Sequence, residues 1–316
     1  MMTRRNFLVV SSGAALAAAS RGLSAQADPY RSMPKIDSHV HFVDPTRPQG
    51  VPWPPKTDNI YRPHLPPKFR AMVAPWNVVG EIVIEASPWL EDNQWILDLA
   101  RDNTDIVGFI GHLNPGEPEF AAHLRRFAAN PIYRGIRLWR KELPGAARPA
   151  YARDLDLLAE RWLTIDVVDA EPVLKELAQL ARRHPGLRVV IDHLPSTEWD
   201  GHPEAMRAGL ADLAACPNVY AKVSMVVRLR HRRNVADPTF YQPGLDVLWN
   251  LFGNKRVLYG SNWPASARTA NYDEIFQAIG QYVARLSRRD AEDFYWRNSI
   301  AAYGWLPRGA AAALRP

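Results

Sequence analysis

The amino-acid sequence predicts an α/β fold, a single (β/α)8 TIM barrel with a proline-rich loop after its first strand. Three observations carry this. From residue 35 onward, short β-branched runs alternate with longer stretches of helical periodicity, which is the rhythm of parallel βα units. The runs number eight, the count at which such a sheet closes on itself. Residues 28–316 are of ordinary size for one such barrel and require no second domain.

The predicted strands are 35–42, 80–86, 106–112, 133–139, 163–168, 187–193, 218–224 and 256–261. Helices are expected between them at 91–102, 118–128, 152–160, 171–184, 203–214 and 240–251. Within 172–181, Val173, Leu174, Leu177, Leu180 and Ala181 recur at helical spacing, so one face of that helix should cover the barrel. Stretches 272–285 and 291–303 read as two closing helices, and the alanine-rich end from Gly309 is expected to fray. The irregular segment 43–68 holds eight of the prolines, which fix φ and remove donors, so it reads as a stiffened loop over the face where barrel sites are built. Trp53, Tyr61 and His64 are its candidates for contact with a ligand, and a surface loop without such contact is the equal alternative.

The first 27 residues have the anatomy of a cleaved export signal. Arg4 and Arg5 precede Phe7 and Leu8 in the pattern of the twin-arginine route to the periplasm, an uncharged stretch follows, and Ala25-Gln26-Ala27 supplies a cleavage site. The expected arrangement is therefore a signal over 1–27 and one barrel domain over 28–316. The net charge of +6 includes Arg4, Arg5 and Arg21, so the remainder is only mildly basic and no nucleic-acid partner is expected. With Cys216 alone, no internal disulfide forms. No later run is apolar for long enough to span a bilayer, so no stable membrane insertion is expected after cleavage.

In 36–42 (IDSHVHF) a strand period of two sets Asp37, His39 and His41 on one side, with successive same-side residues about 6.6 Å apart. Two imidazoles can then tilt toward one ion or one substrate atom. An H-x-H pair is a weak signal by itself, because histidines also serve as hydrogen-bonded core residues; its place at the end of the first strand strengthens it. His193 ends another β-branched run, and Ser261 and Asn262 end the last one. His112 and Glu85 also close strand candidates, with nothing that selects a role for them, while His123 and His184 fall on predicted helices and should be exposed.

The segments 36–42 (IDSHVHF), 133–139 (YRGIRLW), 189–194 (VVIDHL), 218–225 (NVYAKVSM) and 257–264 (VLYGSNWP), in that order, resemble the amidohydrolase superfamily. Within it they are similar to the amidohydrolase-related branch of sugar-lactone and dicarboxylate-lactone hydrolases. The resemblance implies an active site built from His39 and His41 of strand one, His193 of strand six and position 262 of strand eight. It also implies a hydrolase of lactones, with a metal-dependent decarboxylase or a non-catalytic barrel as the alternatives. Two departures stand out. Position 262 is Asn, which has no basic lone pair, where the family pattern has Asp. The fifth strand lacks the histidine of metal-rich members, so two metals are not expected. His39, His41 and His193 as ligands imply one divalent ion, Zn²⁺, with an open position. Metal-free chemistry is the alternative, with Asp37, Asp166 or Asp169 activating water.

Arginine forks match carboxylates, so Arg137 at the end of the fourth strand points to an anionic or acid-sugar small-molecule substrate. Pairing of Arg137 with a barrel carboxylate, or packing on Trp139, is the competing reading. Trp139 and Trp263 are expected to line the pocket. The basic run 228–233 reads as a solvated loop more readily than as a binding surface. Related barrels often pair, and a homo-oligomer is compatible with the sequence, although no residue pattern selects one.

Overall fold

A computed structural model of the protein describes residues 28–168, 173–193, 203–230, 233–235 and 237–314; the proposed leader, Asp169 and two residues of the basic run lie outside them. Eight parallel strands follow one another around the barrel: β1 Lys35–Val40, β2 Val78–Ile84, β3 Ile106–Gly111, β4 Tyr133–Trp139, β5 Thr164–Val168, β6 Arg188–Ile191, β7 Val219–Val223 and, after a short antiparallel hairpin of β8 Arg228–Arg230 and β9 Arg233–Val235, β10 Val257–Tyr259. Main-chain bonds close the ring between its ends, His41 N to Trp263 O at 2.8 Å and Asn262 N to His39 O at 2.9 Å. The strands are almost wholly buried because helices cover them from outside, as all-parallel sheets require.

The helices are α1 Pro66–Val73, α2 Leu90–Asp102, α3 Phe120–Ala128, α4 Pro149–Glu160, α5 Leu174–Arg183, α6 Pro203–Ala214, α7 Pro238–Phe252, α8 Tyr272–Val283, α9 Arg288–Glu292 and α10 Asn298–Tyr303. Their starts follow local chemistry. Proline occupies the first turn of α1, α4 and α7, where its missing N–H is no loss. Asp237 caps α7 through Thr239 N, and Asn271 with Glu274 forms a reciprocal capping box on α8. The apolar stripe read in α5 is buried as expected at Leu174, Leu177, Leu180 and Ala181.

Four expectations change. The proline-rich loop ends in α1, because its last two prolines sit at a helix start. Part of the basic run forms the β8–β9 hairpin, in which Arg228, Leu229 and Arg230 pair with Val235, Asn234 and Arg233. The C-terminal end does not fray: Leu306 N donates to Val107 O, Arg308 donates to Ala100 O, and Ala311 is buried in a 3₁₀ turn over Gly309–Ala313. His184 is buried, and its Nδ1 lies 2.6 Å from Asp156.

The end of the barrel where strands begin is closed by the chain termini. Lys35 Nζ donates to the carbonyls of Tyr30, Arg31, Met33 and Trp76 at 2.8–3.1 Å, and its burial pulls its pKa down to about 8. Thr164 Oγ1 donates to Ala302 O and Arg134 Nε to Tyr303 O, which ties α10 beneath β4 and β5. The opposite end is left for the site.

Candidate active site

The seam of the barrel places the first two histidines. The register of β1 against β2 shifts between Asp37 and Val40, and this irregularity breaks the period of two. Asp37 therefore does not share the histidines' space. Its carboxylate accepts from Ser261 N at 2.8 Å, from His39 N at 3.1 Å and from Tyr272 OH of α8 at 2.8 Å. It acts as a clamp between the first and last strands. Gly260 allows the close approach there, since a Cβ on it would stand 2.7 Å from His39 Cβ.

His39 Nε2 and His41 Nε2 lie 3.2 Å apart, and His41 Nε2 lies 3.0 Å from Asn262 Oδ1. His41 Nδ1 is 2.9 Å from the carbonyl of Ile84, which only accepts, so the proton of the neutral ring is on Nδ1; Nε2 carries a lone pair, toward which the Asn262 amide turns its NH2 in that tautomer. The ring of His193 stands 4.6 Å from that of His39, with its Nδ1 2.6 Å from Ser224 Oγ. Thus all four residues read from the sequence converge. His193, Asn262 and Met225, just past the ends of β6, β10 and β7, have φ of 60°, 60° and 51°. Asn and His tolerate this left-handed region better than most residues, whereas Met225 is held there under strain, a pattern concentrated at functional sites.

Burial lowers the pKa of His41 to about 4 and that of His193 to about 3, and it takes His39 well below the ordinary range, against the pull of Asp192. The three rings are therefore neutral at neutral pH. Directly behind them is an ionic layer that sequence reading missed. Lys222 Nζ, fully buried, lies 2.6 Å from Asp166 Oδ2, 2.9 Å from Asp192 Oδ1 and 3.3 Å from His39 Nδ1. Arg137 Nε lies 3.2 Å from Asp192 Oδ2, and Tyr303 OH donates to Asp166. Burial opposes the charge on Asp192, yet Lys222, His39 and Arg137 hold its pKa well below the carboxylate range. Asp166 is thus engaged beneath the histidines and does not face the cavity. The available signal was a lone Lys222 in an otherwise buried β7 and a lone Asp166 in β5, two opposite charges that no solvated strand face explains.

Above this layer opens a cavity of about 630 Å³, lined by His41, His193 and Asn262 with Glu85, Arg137, Trp139, Trp53, His112 and Met225 among its walls. That volume suits one small organic molecule. Glu85 and Glu142 are the carboxylates lining it among the described residues. Glu142 accepts from Trp139 N at 2.8 Å, whereas Glu85 accepts from Ser87 N and Trp139 Nε1, and burial raises its pKa. Arg137 reaches the cavity wall but is held by Asp192 and, at 4.0 Å, by Glu85, with Trp139 5.3 Å away. The pairing reading of Arg137 prevails over that of an unengaged anion fork. Trp263 is a correction. It is buried against Phe69, Phe42 and His64 and does not line the cavity, because its backbone closes the seam and turns the indole toward α1. His64 likewise bonds Ile60 O and packs on Trp263, leaving Pro52 and Trp53 as the loop's contribution.

The donor set suits a divalent cation. Tetrahedral zinc–nitrogen bonds of about 2.0–2.1 Å set ligand atoms roughly 3.3–3.4 Å apart, close to the 3.2 Å between the two Nε2 atoms. His39, Asp192 and His193 also present ligand atoms within 4.8 Å of one another.

Comparison with known proteins agrees with this architecture. An L-fucono-1,5-lactonase of Burkholderia ambifaria is 29% identical over 245 residues, covering 76% of this chain and 83% of that protein. A zinc-bound amidohydrolase of Burkholderia multivorans superposes with a TM-score of 0.77 at 24% identity, over 86% of this chain and 99% of the other. A probable 2-pyrone-4,6-dicarboxylic acid hydrolase of Acinetobacter baumannii with citric acid bound gives 0.70 at 16% identity, over 86% and 100%. The amidohydrolase family model matches residues 36–305, and the chain belongs to the amidohydrolase family.

Proposed function

We propose that the protein hydrolyses a lactone, and more narrowly the cyclic ester of a sugar acid. The observation that carries this is the convergence of three neutral imidazoles and the Asn262 amide, of which His41, His193 and Asn262 line a cavity of about 630 Å³. Family membership and the named activity of the Burkholderia ambifaria relative support it. The pairing of Arg137 with two carboxylates favours an uncharged ring over a dicarboxylate.

Water adds to the ring carbonyl, the ester C–O bond breaks, and the departing ring oxygen takes up a proton to give a hydroxy acid. Asn262 cannot accept the proton from water. We assign that step to Glu85, which lines the cavity and whose raised pKa makes it a stronger base than an ordinary carboxylate. Its proton then serves the departing oxygen. His193 stays neutral and presents a ring N–H to the carbonyl oxygen as charge develops there, which the His41 Nε2 lone pair cannot do. Trp53 and Trp139 wall the ring and exclude water. A divalent ion would be held by His39, His41 and His193 beside Asn262, zinc suiting these donors, and when bound it supplies Lewis-acid polarisation of the carbonyl.

The test is a panel of neutral sugar-acid lactones, lactones bearing carboxylates, and aromatic carboxylic acids, followed by acid release and by trapping of carbon dioxide. Acid release from neutral sugar lactones is expected. Carbon dioxide from an aromatic acid, with no lactone turned over, would replace this reading by decarboxylation. For the region outside the described residues, the proposal is export through the twin-arginine pattern at Arg4 and Arg5, with 28–316 as the working domain.

A further inference from the structure

The ammonium of Lys222 has three hydrogens and three acceptors within reach: Asp166 Oδ2 at 2.6 Å, Asp192 Oδ1 at 2.9 Å and His39 Nδ1 at 3.3 Å. When Lys222 donates to His39 Nδ1, the single proton of that neutral ring is on Nε2. Across a gap of 3.2 Å it meets the Nε2 lone pair of His41, which the Ile84 carbonyl fixes. The result is one directed chain, Lys222 to His39 to His41. A divalent cation at the same place needs both Nε2 lone pairs. His39 must then move its proton to Nδ1, give up the bond from Lys222 and donate to Asp192 Oδ1 at 3.3 Å. It must do so with a buried positive charge close behind it.

We propose that Lys222 is a positioning residue that sets how tightly the histidine pair holds a divalent cation, by fixing the tautomer of His39 and by opposing the ion's charge. Most second-layer partners of metal-binding histidines are oxygen acceptors, which favour the ligating tautomer. Here Asp192 offers that acceptor, and Lys222 competes with it for the same nitrogen. The site therefore stands between two states, a hydrogen-bonded imidazole pair and a cation site, with Lys222 favouring the first. Lys222 touches neither cavity nor substrate; it acts through His39.

Two measurements test this without any turnover. In the chelator-treated wild-type protein, ¹⁵N chemical shifts of the His39 ring should show Nδ1 as acceptor and Nε2 protonated. Zinc should exchange those roles. A protonated Nδ1 in the metal-free protein would overturn the proposal without any variant. The second measurement uses Lys222→Met combined with Asp166→Asn, which removes the lysine together with the carboxyl group that faces it and leaves Asp192 paired with Arg137. Because Lys222 is the member of that pair in contact with His39, zinc affinity measured against a chromogenic chelator should rise about tenfold or more. Unchanged or weaker zinc binding, in a variant with native circular dichroism, would also overturn it. Neither outcome bears on whether the protein cleaves lactones.

Discussion

The floor of the cavity and the layer directly beneath it are both largely withdrawn from water, yet they handle charge in opposite ways. At the floor, His39, His41 and His193 have lost their affinity for protons and are neutral. Beneath them, Asp192 keeps its charge because Lys222 at 2.9 Å and Arg137 at 3.2 Å hold its pKa down. Desolvation penalises an ion wherever it is buried; a group stays charged only if a partner repays most of that penalty, and a group able to discard its charge otherwise does so. The difference teaches which layer is adjustable. Neutral imidazoles can exchange the hydrogen bonds they share for contacts to a substrate or a cation, whereas the ionic layer is committed to itself and works by orienting what lies above.

Removal of single members should separate the two layers. Lys222→Ala leaves Asp166 with only the Tyr303 hydroxyl and Asp192 with Arg137 and His39, and it should cost about 3–5 kcal/mol in urea unfolding. His193→Ala deletes a neutral group; it should change stability by about 1 kcal/mol and lower kcat/KM for the lactone by about 10²–10³. Equal stability losses in both variants would erase the distinction between the layers.

Acid should act on the upper layer first. In the folded protein burial takes the pKa of His41 down to about 4 and that of His193 down to about 3, against about 6.5 for an exposed histidine. As pH falls below about 6.5, the unfolded chain binds protons that the folded one refuses, so stability is lost on acidification. The loss should approach 1.4 kcal/mol per pH unit for each ring until the folded pKa is reached. Stability against pH for His41→Asn should run flatter than wild type between pH 6.5 and 4. Parallel curves would show that the ring is charged or solvated in the folded state.

The smallest effect is expected at Asn262. Asp accepts the same left-handed backbone, so Asn262→Asp should fold normally. With Glu85 as the base it should leave kcat near neutral pH within about twofold of wild type. A large gain would instead assign proton transfer to position 262 and remove it from Glu85.

The strand count, the chain order of the helices and the convergence of His39, His41, His193 and Asn262 were legible because each depends on local pattern. β-branched runs, helical periodicity and chemistry-bearing residues at strand ends survive in a linear reading. Asp37 was misplaced because strand alternation assumes a regular ladder, and one register shift turns its carboxylate toward Ser261 and Tyr272. Trp139 and Trp263 looked alike, two indoles at strand ends. One lines the cavity and the other is buried against Phe42 and Phe69, a choice made by seam closure rather than by either residue.

The sequence by itself determined that this chain is a barrel with imidazoles at one mouth, because periodicity and residue type act over a few neighbours. Only the tertiary structure decided which charges meet. Lys222 and Asp166 stand on β7 and β5 and Asp192 directly follows β6, 56 and 30 residues apart from the lysine, and they pair only because β5, β6 and β7 lie side by side around a closed ring. Electrostatic partnership depends on distance through space and on exclusion of water, and neither quantity is carried by spacing along the chain.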